Sequence, residues 1–82
     1  MKARQCFRIV VEVNGQAILD LFRPFVEAGH TLELLRMRPQ ENLLVVTATF
    51  DGVDDLAADQ LVRDLVRIPR VRSATVEAIV HA

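Results

Sequence analysis

The feature that most constrains this chain is a change of hydrophobic period, made twice and each time across a short polar corner. Residues 5–13 alternate, with Phe7, Ile9, Val11 and Val13 on one face and Cys6, Arg8, Val10 and Glu12 on the other. A period of two with β-branched content predicts a strand. Beyond Asn14-Gly15 the period lengthens. Ile18, Leu21, Phe22 and Phe25 recur at helical spacing, and Val26 widens the stripe, which is the buried face of an amphipathic helix over 16–28. Residues 43–50 alternate again, and after the corner Asp51-Gly52-Val53-Asp54-Asp55 a second helical stripe follows.

The segments between complete the order. Pro24 falls inside the first helical pattern and predicts a bend, and Gly29 sits where a helix ends in left-handed geometry. Residues 31–38 predict a second strand. Leu32, Leu34, Leu35 and Met37 keep no single alternation there, so a bulge is expected near Leu34-Leu35. Pro39-Gln40-Glu41-Asn42 reads as the turn of an antiparallel hairpin leading into the third strand, where Leu44, Val46, Ala48 and Phe50 make one face. The second helix buries Ala57 or Ala58, Leu61, Leu65 and Ile68, with Val62 and Val66 beside them, and Pro69 stops it. A last strand covers 71–80, with Ala74, Val76, Ala78 and Val80 opposite Thr75, Glu77 and Ile79. The expected class is α+β: a ferredoxin-like βαββαβ domain over 1–82. Right-handed crossovers put both helices on one face of a four-stranded antiparallel sheet of order 4-1-3-2.

Charge narrows the partners. Ten basic against eleven acidic side chains give no field of either sign, which argues against nucleic acid or an anionic membrane. No apolar run approaches the roughly 20 residues of a membrane span, and no leader pattern precedes the first strand. One cysteine, Cys6, allows no intrachain disulfide, so a cytoplasmic location is expected. Cys6 reads as a small strand residue, and Arg63, Arg67, Arg70 and Arg72 read as a solvated face, with Arg70 and Arg72 able to meet a partner's acids.

Helices on one side leave the other sheet face open. It would carry Cys6, Arg8, Val10, Glu12, Val45, Thr47, Thr49, Thr75, Glu77 and Ile79, a mixed surface for water or for a second layer. The second strand is an edge bearing Leu32, Leu34, Leu35 and Met37. Such an edge invites pairing, and a two-fold homodimer joined there is expected. No cofactor is expected. His30 and His81 stand apart, one cysteine cannot form a CxxC metal site, and no triad or phosphate-cradling Gly-rich loop is present. An RNA-recognition domain needs basic and aromatic central strands, whereas Val10, Glu12, Val45 and Thr47 stand there and the chain has no Trp or Tyr. Asn14 suits both a helix cap and a ligand contact. His30 suits a surface place near a helix end or a binding role.

Three local patterns carry a likeness. Val13-Asn14-Gly15-Gln16-Ala17-Ile18-Leu19 joins a strand to a helix through an Asn corner; Ala28-Gly29-His30-Thr31-Leu32 leads a Gly-terminated helix into an apolar strand; Ile68-Pro69-Arg70-Val71 introduces the last strand. In that order and spacing the chain resembles the ACT domain family, small ferredoxin-like regulatory modules of amino-acid metabolism, and is similar in length to the small regulatory subunits of acetolactate synthase. The resemblance implies a non-catalytic homodimeric module that takes a free amino acid, an amino-acid biosynthetic enzyme, or both as partner. It implies ligand contacts at Asn14, Gly15, Gln16, His30, Thr31 and Leu32. Backbone N–H groups at a helix start suit a carboxylate, and Asn14, Gln16 and Thr31 offer orienting hydrogen bonds. Ligand-binding members usually have Gly at the helix start, where Ala17 stands here. Unless the alignment slips by one and Gly15 fills that place, Ala17 moves weight toward the alternative, a protein-interaction module without a small ligand. A small enzyme of the acylphosphatase type would need a loop that this chain lacks.

Overall fold

The computed structural model describes residues 4–13 and 15–80. The order is β1 (Arg4–Glu12), α1 (Gly15–Glu27), β2 (Thr31–Gln40), β3 (Leu43–Asp51), α2 (Asp55–Val66) and β4 (Val71–Val80). All pairings are antiparallel and the strand order is β2-β3-β1-β4, the ferredoxin-like arrangement that the two period changes predict.

One face of β1 and β3 supplies the floor of the core. Phe7, Ile9 and Val11 stand across from Ala48, Val46 and Leu44, and the helices close over them with Leu21, Phe25, Leu61 and Leu65. Three phenyl rings from three elements meet there. Phe25 of α1 stacks on Phe50 of β3 with centroids 3.9 Å apart, and the edge of Phe7 from β1 meets Phe25 at 5.1 Å. Gln5 is the buried polar exception: its Nε2 donates to the Val53 carbonyl at 2.8 Å and to Asp55 Oδ1 at 3.4 Å. The start of β1 is thereby tied to the entrance of α2.

Both helix ends follow local chemistry. Asp54 caps α2, accepting from the Ala57 N–H at 2.7 Å with extended backbone of its own. α1 ends in a Schellman motif. The His30 N–H reaches the Phe25 carbonyl at 3.0 Å, the Gly29 N–H reaches Val26, and Gly29 takes φ 78°, a conformation that suits a residue without Cβ. Asp54→Ala should cost about 1 kcal/mol, as typical for a lost N-cap. Asp54→Asn should retain most of it, and urea denaturation followed by circular dichroism measures both.

Several boundaries differ from the sequence expectation. β1 stops at Glu12, and Val13 is 61% exposed instead of joining the core face. Val26 is 72% exposed and Val66 half exposed, so the helical stripes are narrower than their apolar residues. Val26 lies one position round from Phe25 and misses the sheet. β2 runs through Pro39 to Gln40, leaving only Glu41-Asn42 as the turn, with Glu41 at φ 57°. An edge strand tolerates Pro39 because one row of its backbone groups has no neighbouring strand. Helix α1 runs through Pro24 to Glu27, in keeping with the stripe over 16–28. No helix among the described residues is long and apolar enough to cross a membrane.

Candidate functional site

The corner between β1 and α1 is held from two sides. The Glu12 N–H donates to the Arg70 carbonyl at 3.0 Å, and the Val13 N–H donates to the Asn42 carbonyl at 3.3 Å. The Glu12 carboxylate meets Arg72 Nε at 3.3 Å and Arg70 Nη1 at 3.7 Å. Arg70 and Arg72 therefore pair within their own chain and keep the solvated position expected from sequence. The β1–β4 register slips between Val10 and Val11, which makes Arg72 a bulge residue and aims it at Glu12.

Asn14 lies outside the described residues, as does His81. Gly15 is the first residue of α1, and Gln16 beside it donates through Nε2 to Asp20 Oδ1 at 3.1 Å. Ala17 is 3% exposed and belongs to the core cluster. His30 is half-buried just past the other end of α1, and Thr31 and Leu32 open β2. A helix of 13 residues is about 20 Å long. The structure thus places Gly15 and Gln16 at one end of the sheet and His30, Thr31 and Leu32 at the other. The pairings agree: Thr31 stands across from Asp51, as does Arg4, whereas Glu12 stands across from Leu43 at the far end. Within one chain the described residues among those implied by the resemblance do not converge.

β2 is exposed along its whole length. Its register against β3 slips between Leu32 and Leu34, leaving Glu33 as the bulge residue, and the Glu33 carboxylate meets Arg4 Nε at 2.9 Å. The bulge comes one residue earlier than expected and sorts the strand cleanly. Leu32, Leu35 and Met37 pair with Phe50, Ala48 and Val46 and share the helix side. The helices do not reach that far, and the three side chains are 38–44% exposed. Leu34, Arg36 and Arg38 pair with Thr49, Thr47 and Val45 on the opposite side.

On that open side Cys6, Val45 and Thr49 are buried. The Cys6 thiol donates to Glu77 Oε2 at 3.6 Å. Burial pushes this thiol above its ordinary pKa, and nearby Glu77 pushes the same way against a hydrogen bond from Thr49. A thiol held neutral in this manner is a poor nucleophile. Beside it Arg8, Arg36 and Arg38 rise around Thr47 and Val45 in a groove of about 690 Å³ that Glu77 also lines. Arg36 and Arg38 were absent from the face expected from sequence. Their spacing of two residues, alternating with Leu35 and Met37, was the signal available.

No family model matches this chain, and no curated protein matches it. Solved structures do. The ACT domain from GTP pyrophosphokinase of Chlorobium tepidum superposes with a TM-score of 0.80 at 9% identity, covering 94% of this chain and 100% of that one. The C-terminal domain of the MgtC protein from Mycobacterium tuberculosis gives 0.75 at 19% identity, covering 93% and 86%. An uncharacterized protein from Thermotoga maritima gives 0.67 at 23%, covering 95% and 100%. At these identities the likeness establishes the fold. The chain has an ACT-like fold.

Proposed function

We propose that this chain is a non-catalytic regulatory module of amino-acid metabolism. It acts as a homodimer joined through its β2 edges and holds a small amino acid between protomers. The observation that carries this reading is the exposure of all of β2, an unpaired edge with apolar side chains on both faces. Long exposed apolar edges invite strand pairing. A second copy is the partner whose own edge matches this one.

The separation along α1 supports the same arrangement. A two-fold axis normal to the sheet reverses β2, so the Thr31 end of one strand lies beside the Gln40 end of its partner. His30, Thr31 and Leu32 of one protomer then approach the end of the sheet where the partner's α1 begins. A ligand site divided by about 20 Å in one chain becomes continuous only across the pair. An effector held there would favour one dimer geometry, and that geometry would favour or release an enzyme subunit. A small regulatory subunit of acetolactate synthase is the family role whose length agrees.

One observation favours a second reading. The Ala17 methyl is packed in the core, so at this place the first turn of α1 lies against protein. A module that recognises an amino-acid biosynthetic enzyme without a small ligand is consistent with that packing.

Sedimentation across a wide concentration range, paired with thermal-shift screening against the twenty amino acids, separates these readings. A dimer stabilised by one or a few amino acids is the expected result. A stable dimer that responds to none would leave the interaction module, and a monomer at every concentration would overturn the homodimer and the ligand site between protomers.

A further inference from the structure

Beyond the dimer edge, the open sheet face carries a feature that this reading does not use. Arg8 of β1 and Arg36 of β2 both stand across from Thr47 of β3. Arg38 stands across from Val45, two residues further along the same pair of strands. Neighbouring strands are about 4.8 Å apart, so Arg8 and Arg36 rise from either side of the Thr47 hydroxyl and Arg38 closes the third side. We propose that this groove binds a phosphate-bearing small molecule, held by Arg8, Arg36 and Arg38 with Thr47 at its centre.

Charge is the first argument. Among the described residues none of these three arginines has an ion-pair partner, whereas Arg4, Arg23, Arg70 and Arg72 all do. Arg63 and Arg67 are also without ion pairs among the described residues, but Arg63 lies on α2 and Arg67 caps its end, where the cleft beside Arg67 is lined by Asp20, Glu27 and Asp64 as well as Arg23. In the groove the three guanidiniums face one carboxylate, Glu77. The chain as a whole carries a net charge of −1, so the local positive excess is a feature of the fold. A monoanion compensates this excess only in part, and a phosphoryl group, or two in series, matches it better.

Donor geometry is the second argument. Guanidinium forks match phosphate oxygens two at a time, and the Thr47 hydroxyl can donate to another. The groove volume of about 690 Å³ lies within the usual range for small-molecule sites. Nucleic acid fits less well. Single strands are held by stacking on aromatic side chains, and here Phe7, Phe25 and Phe50 are enclosed in the core, Phe22 packs against it from α1, and the chain has no Trp or Tyr. All the residues invoked belong to one chain, so the site does not depend on edge pairing.

The test uses the full chain and inorganic pyrophosphate as probe. Amide chemical shifts of the unsubstituted protein should move at Arg8, Arg36, Arg38 and Thr47. In calorimetry Arg8→Gln, Arg36→Gln and Arg38→Gln should each weaken binding by roughly tenfold, as expected for loss of a charge-assisted contact. Arg63→Gln should leave it unchanged. All four positions are solvent-facing, and unchanged thermal midpoints confirm folding. Perturbation confined to the start of α1, an equal loss in Arg63→Gln, or no binding at low ionic strength would overturn the proposal. Tighter binding of a single-stranded oligonucleotide, lost in the same three variants, would assign the face to nucleic acid instead.

Discussion

Phe25→Ala should lower stability by about 3–5 kcal/mol, the usual cost of removing a fully buried phenyl ring from a core. Phe25 is fully enclosed, stacks on Phe50 at 3.9 Å with planes 3° apart, and receives Phe7 at 5.1 Å and 73°. These rings fasten α1 to the two central strands. Little else can close the space, because Leu21 is the other fully buried large side chain of α1. Small domains hold about 5–15 kcal/mol in total, so this substitution removes a large part of what keeps 82 residues folded. A urea titration read by circular dichroism should show a much lower midpoint. A loss below about 1 kcal/mol, far under the core range, would mean that α1 is not docked as described.

The second large effect concerns assembly. In the proposed dimer the two-fold axis is normal to the sheet, so facing residues of the paired edges must project on the same side. An axis through Arg36 sets Leu35 opposite the partner's Met37, and each such contact occurs twice. Both side chains are about two-fifths exposed in the single chain. Leu35→Asp combined with Met37→Asp should therefore leave the monomer folded and raise the dimer dissociation constant by more than about 100-fold, given roughly 1.5–3 kcal/mol for each large apolar side chain buried. Sedimentation at a concentration where the unsubstituted chain is dimeric checks this. An unchanged dimer would remove β2 from the interface. Edge pairing also brings Arg36 and Arg38 of two protomers together on the open face. An anion held there and the dimer would then stabilise one another by mass action.

The legible parts of this protein are those that local periodicity encodes. Phe7, Ile9 and Val11, with Val46, Ala48 and Phe50, announce their shared face by alternation, and all six are buried. Gly29 marks the end of α1 because a missing Cβ acts within a few residues, and Pro69 bounds α2, which ends at Val66, two residues short of the expected Ile68. Gln5 could not be read in the same way. Its burial depends on a carbonyl at Val53, far along the chain and brought near only by folding. Val13 and Val26 are apolar but exposed, since a stripe records hydrophobicity without recording how far the opposing layer extends.

From sequence alone come the order of the six elements, the sheet order that follows from right-handed crossovers, and the central core. Each rests on short-range periodicity or on chain connectivity, and neither needs knowledge of distant contacts. The tertiary structure decided where Arg36 and Arg38 face. That depends on the slip at Glu33, set by how β2 pairs with β3, and a slip of one residue turns every later side chain to the opposite face. It also decided that the Gly15-Gln16 corner and His30-Thr31 stand a helix length apart. Proximity along a sequence says nothing about which end of a sheet a rigid helix delivers the chain to.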